Sequence, residues 1–126
     1  MDFEKALAYE LQTIPDLQGK VFPQTAEENI KPPFVVYVSS DGENIMTLSG
    51  PTEMTELTCE IHVVAETYEQ LKSLVPTIIN RTKTFFQRTI GRNGPLIKSV
   101  SHIEPVEEID NNANYYRSSF DIRVRY

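Results

Sequence analysis

Between Met54 and Ile90 the apolar residues change their repeat from two to between three and four with almost no linker, and this change limits the fold more than any other feature. Leu57, Cys59, Ile61, Val63 and Ala65 share one parity against Thr58, Glu60 and His62, which is the pattern of a strand with one apolar and one wet face. From Thr67 onward Leu71, Leu74, Val75, Ile78, Ile79, Thr82, Phe85 and Phe86 recur at helical spacing and line one side of a helix. A half-covered sheet with a helix on it follows. Pro76 stands inside the helical run, where a proline costs about 3 kcal/mol, so the helix either bends there or restarts with Pro76 in its first turn. The stripe stays in phase from Leu74 and Val75 to Ile78 and Ile79, which predicts one kinked helix, stopped by Gly91.

The flanks fit the same layered plan. Asp2 caps a first helix whose Phe3, Ala6, Leu7, Glu10, Leu11 and Ile14 repeat until Pro15 halts it. Lys20 to Phe22 reads as a brief strand, with Pro23 marking an edge or an early end, and the polar run from Gln24 to Pro33 reads as a surface loop. Phe34 to Ser40 is a strand apolar enough to be covered on both sides or to lie in a subunit contact. After the Asp41-Gly42 turn, the segment to Glu53 forms either the second arm of an irregular hairpin or a mobile loop. Its Ile45, Met46 and Leu48 serve either another subunit or the core. Asn93-Gly94-Pro95 is a turn. Leu96 to Asp110 is extended with mixed parity, which implies a twist, a bulge or a break at Pro105. Phe120, Ile122, Val124 and Tyr126 alternate in a final strand. The expected fold is α+β, a single domain over residues 1–126, with a twisted, mainly antiparallel sheet backed by an N-terminal helix and one longer kinked helix.

Catalytic and ligand signatures are weak. Cys59 and His62 differ by an odd number along one strand and face opposite ways, so they do not chelate a common metal. Cys59 reads as a buried small hydrophobe. Glu60 and His62 share a face as a general acid and base do, but neighbouring polar residues on a wet strand face commonly do so without function. Glu104, Glu107, Glu108 and Asp110 lack the ordered spacing of a calcium loop and read as a solvated strand edge. No phosphate loop and no Gly-x-Ser-x-Gly elbow occurs. A formal charge of −6 argues against a sequence-independent grip on nucleic acid. Arg81, Lys83, Arg88, Arg92, Lys98, Arg117, Arg123 and Arg125 therefore read as solvated faces or subunit contacts. The apolar stretches fall short of the roughly 18 residues of a membrane span, and Asp2, Glu4, Lys5 and Glu10 do not fit a secretory leader. A cytoplasmic, non-enzymatic scaffold without cofactors is expected.

The order of elements carries a resemblance. Ile14-Pro15-Asp16-Leu17, Gly19-Lys20-Val21-Phe22-Pro23, Pro33-Phe34-Val35-Val36-Tyr37, a polar arm, and Leu57 to Ala65 leading into Thr67-Tyr68-Glu69-Gln70 together resemble the tail-completion, or tail-to-head joining, proteins of long-tailed bacteriophages. These are similar in fold to tail terminators. The resemblance implies a virion protein, made in the host cytoplasm, that assembles as a ring at the head-proximal end of the tail tube. Its partners would be the tail tube protein and the head connector. A ring needs two different patches on each subunit. The arm with Asp41, Asn44, Ile45, Met46 and Leu48 offers one; the helix flank with Asn80, Lys83, Thr84 and Gln87, or the edge strand from Lys98 to Val106, offers the other. The arm is expected to order on assembly, and the subunit alone to be monomeric or associated. Glu104, Glu107 and Glu108 are candidates to line a lumen through which DNA passes without sticking. Two rival readings remain: a small α/β ligand-binding domain or enzyme whose pocket is assembled from distant residues, and a monomeric adaptor.

Overall fold

Asp2 starts the first helix as expected: its Oδ1 accepts from the Lys5 N–H at 2.8 Å, satisfying one of the donors a helix N-terminus leaves open. The computed structural model describes residues 2–26, 29–40, 42–48, 50–103, 105–110 and 115–126, with backbone alone at 47, 51–53 and 107–110. The elements in chain order are α1 (Phe3–Gln12), a 3-10 turn (Pro15–Leu17), β1 (Val21–Pro23), β2 (Phe34–Ser39), β3 (Glu43–Thr47), β4 (Gly50–Ala65), α2 (Tyr68–Lys83), β5 (Arg88–Thr89), β6 (Leu96–Ile97), β7 (Ser99–His102), β8 (Val106–Asp110) and β9 (Tyr115–Arg125).

The main sheet runs β1-β2-β4-β9, with β7 and β8 following one another along the far side of β9, and β3 paired to the start of β4. Only the β1–β2 pairing is parallel among the described strands. Because β4 and β7 are both antiparallel to β9, the unit β4–α2–β7 is a parallel crossover with β9 inserted between its strands. The architecture is α+β.

One parity of the strands builds the core. Val35, Tyr37, Cys59, Ile61, Val63, Phe120, Ile122 and Val124 lie against Phe3, Leu7 and Leu11 of α1 and Leu71, Leu74 and Ile78 of α2. Burying each large aliphatic side chain stabilises the fold by about 1.5–3 kcal/mol before chain entropy is counted. The other sheet face is apolar at one end, where Phe22, Val36 and Val64 are also buried and the Phe22 and Phe34 rings meet edge to face at 6.5 Å. That explains the near-continuous hydrophobicity of β2.

The second helix is a single helix across Pro76, started by Thr67, whose side chain accepts from the Gln70 N–H. Its end differs from the sequence expectation. α2 stops at Lys83, not at Gly91, and Thr84 closes it by donating its N–H to Arg81 O and Asn80 O. Phe85 reaches the core from the turn that follows, fully buried, whereas Phe86 is 53% exposed. Gln87 adopts φ 55° and donates its N–H to Ile97 O at 2.8 Å. β5 and β6 then form a two-stranded hairpin around Gly91, at φ 64°. Gly94 allows α1 to approach this hairpin closely: a Cβ there would lie 2.2 Å from Ile90 O and 2.8 Å from Ala6 Cβ. The mixed parity of residues 96–110 resolves into β6, β7 and β8, with Ile103 and Pro105 outside the strands.

Candidate functional site

The segment after Asp41, which itself lies outside the described residues, is an irregular hairpin. Glu43 pairs with Glu56 and Asn44 with Thr55, the register then shifts, and Met46 pairs with Pro51 and Thr47 with Gly50. β4 is long enough to carry it clear of the sheet. The β9 register on β4 begins at Glu56 and the β2 register at Cys59, and Thr55 exchanges two backbone hydrogen bonds with Tyr126 at 2.6 and 2.9 Å. The five residues Gly50 to Met54 thus extend about 17 Å further as a two-stranded ribbon at the usual strand rise. At its tip Met46 is 68% and Leu48 110% exposed, and Ile45 is half-buried. Among the described residues the buried core includes none from 43 to 55. Of the two alternatives for these apolar residues, the ribbon places Met46 and Leu48 outside the core.

The helix flank and the edge strand converge. Asn80 and Lys83, both exposed on α2, line a groove of about 340 Å³ together with Lys72, Val75, Pro76, Ile79 and, from the β7–β8 connection, Pro105. Two of the other flank residues fall elsewhere, since Thr84 is the helix cap and Gln87 belongs to the turn beyond it. Of the candidate lumen residues, Glu107 and Glu108 stand in β8 opposite Ser118 and Arg117, and Glu104 lies outside the described residues.

Several of the basic residues brace the fold. Glu10 is buried on α1, and its Oε1 accepts from Arg88 Nη1 at 2.6 Å and from the Gly91 N–H at 3.3 Å. Its carbonyl accepts from Arg81 Nη1 at 3.2 Å, and Arg81 also donates to Thr13 Oγ1. Arg92 lies over the Tyr9 ring, and Arg123 and Arg125 pair with Glu56. The Glu10–Arg88 pair is lopsided, with side chains 9% and 42% exposed. Removing the arginine strands a buried carboxylate, whereas removing the carboxylate lets the arginine turn to water. Arg88→Ala is therefore expected to lower stability by about 2 kcal/mol and Glu10→Gln by about 1 kcal/mol; urea midpoints in the reverse order would contradict this brace.

The titratable groups are dispersed. Cys59 is buried in the core, and burial, aided by the carboxylates of Glu4, Asp121 and Glu60, pushes its thiol up to about 12. His62 lies on the opposite sheet face with its Nε2 2.8 Å from Glu60 Oε1. His102 packs against α2, Nε2 2.6 Å from Thr82 Oγ1, where burial and then the Lys83 charge hold its pKa below the ordinary imidazole value. A hollow of about 640 Å³ lies between α1 and β2, lined by Lys5, Tyr9, Gln12, Thr13, Gln18 and Tyr37 among others, and neither histidine reaches it. Among the described residues no three His, Cys, Asp or Glu side chains are grouped to hold a metal ion, and no helix is long and apolar enough to cross a membrane.

The sequence reading missed the apolar floor of the α2 groove, Val75, Pro76 and Ile79, and the part of Pro105 in it. Val75 and Ile79 were absorbed into the core stripe and Pro76 was read only as a kink, although a proline beside that stripe was the one local sign that the apolar surface continues outward.

No protein-family model and no curated protein matches the sequence. Solved structures do match the fold. A chain of the virion of a native gene transfer agent particle aligns over 98% of this chain and 92% of its own length, with TM-score 0.70 and 11% identity. A second solved chain aligns over 98% of this one and 91% of itself, with TM-score 0.52 and 15% identity. At such identities the likeness is one of fold.

Proposed function

We propose that this protein is a structural component of a phage-like particle, and that within it the chain forms a ring on the head-proximal end of the tail tube, closing the tube and joining it to the head connector. The observation that carries the reading is the whole-length likeness to a chain of a gene transfer agent virion. It agrees with the tail-completion order of elements in the sequence. The apolar ribbon tip and the α2 groove supply the two unlike patches that a heterologous ring contact requires. The net charge of −6 suits a channel that DNA traverses, because carboxylates at its wall repel phosphates; Glu104, Glu107 and Glu108 are assigned to that wall.

Particles made without this protein test the reading by electron microscopy. Tails of uncontrolled length, or tails detached from filled heads, are the expected result, and normal joined particles would reject it. The protein itself should be found at the tail end nearest the head.

A further inference from the structure

We infer that the ribbon tip of one copy docks in the α2 groove of the next. This inference deepens the ring reading and rests on it, and four observations on the molecule lead to it.

The tip needs cover and the groove offers it. Met46 and Leu48 are the exposed apolar end of the ribbon, and Val75, Pro76 and Ile79 form an apolar strip between α2 and the β7–β8 connection. Charge matches as well as polarity. Residues 41–53 hold three carboxylates, Asp41, Glu43 and Glu53, and no basic residue, while the described lining of the groove holds Lys72 and Lys83 and no acid.

A chain cannot fill its own groove. Pro105 lies between His102, level with Cys59 of β4 through Ile122, and Val106, level with His62 through Ser119. The tip pair Met46–Pro51 sits about ten residues further along β4, a separation of roughly 33 Å at strand rise, and β9 intervenes. The occupant is therefore a second copy. The two surfaces are different patches of one molecule, so each copy gives a tip and receives one, and the contact propagates around a ring instead of stopping at a two-fold dimer. The hollow between α1 and β2 suits the acidic arm less well, because its described lining holds a single basic residue, Lys5, against the two lysines of the groove.

Disulfide trapping in the full chain tests the docking. Met46→Cys and Asn80→Cys both replace exposed side chains, and the native Cys59 is buried. Under mild oxidation, mixing the two single variants should give a dimer joined through one cysteine of each kind, and the double variant should give a ladder of oligomers. Each single variant alone should remain monomeric. Equal trapping by Met46→Cys alone would show a tip-to-tip contact and overturn the inference. So would a mixture that traps no better than Met46→Cys with Gln12→Cys, which lines the other hollow. Reversing the lysines, Lys72→Glu with Lys83→Glu, should cut trapping about tenfold, and Glu43→Lys with Glu53→Lys should restore it; a yield indifferent to both would also overturn the inference. Trapping together with normal particles in the protein's absence would uphold the docking and reject the tail reading, whereas defective tails without trapping would do the reverse.

Discussion

A chain in which Asn-Gly replaces residues 45–54 should fold as the parent does and leave tails unfinished. The excision ends the ribbon at the Asn44–Thr55 pair with a dipeptide suited to a tight hairpin turn. It removes Met46 and Leu48, which are 68% and 110% exposed, and no described member of the buried core, so stability should change by about 1 kcal/mol or less. Assembly, in contrast, should be lost altogether, because one of the two ring patches is gone. Circular dichroism and a urea midpoint check the first half; particle yield and tail length by microscopy check the second. Met46→Asp with Leu48→Asp, which keeps the ribbon and spoils only its apolar end, should have the same outcome. Normal tails from either variant would show that the ribbon is not an assembly element.

The second large effect concerns alkali. A thiol held up to about 12 by burial, against an ordinary value near 9, keeps its proton in the folded state over a range where the unfolded chain loses it. The folded state then binds more protons than the unfolded state, so stability falls as pH rises. The contribution of Cys59 is fully present below pH 9 and is lost as pH climbs through about 12; three units correspond to about 4 kcal/mol, of the order of a small domain's whole stability. Tyr37 and Tyr126, raised chiefly by burial, act in the same direction. Urea unfolding at a series of pH values should show a steep decline across this window. Cys59→Ala should give a shallower one despite some loss of packing at neutral pH, and parallel curves for the two proteins would contradict the assignment.

The sequence made local structure legible where one physical preference dominated. The parity of residues 57–65 gave β4, and its buried side is the one observed in the core. Asp2 was readable as a cap because a side-chain acceptor before an apolar repeat serves the open N–H groups. The end of α2 was not readable, because Phe85 keeps helical spacing yet reaches the core from a turn. Nor was the Glu10–Arg88 brace, whose members are 78 residues apart. Strand order depends on such distant pairings too: nothing local in Val21 to Pro23 or Phe34 to Ser39 says that these two strands run parallel. The ribbon was legible as an arm without a place in the core. Its complement was hidden, since Pro76 and Pro105 become neighbours across the groove only through the β4–α2–β7 crossover.

The position of β9 sets a timetable for folding. This strand is the hydrogen-bonded neighbour of β4, β7 and β8 at once, yet it comes later in sequence than all of them. As the chain emerges from the ribosome, β1, β2 and the β3–β4 ribbon can pair early, but the inner edge of β4 stays bare and β7 and β8 wait until residues 115–125 are made. During that interval the Ile61 side of β4 is covered by helices on one face and by nothing along its edge, a state open to pairing with the wrong strand. Closure of the sheet is thus a late, long-range event, and α2 must hold its place on β4 until β9 slides in beside it.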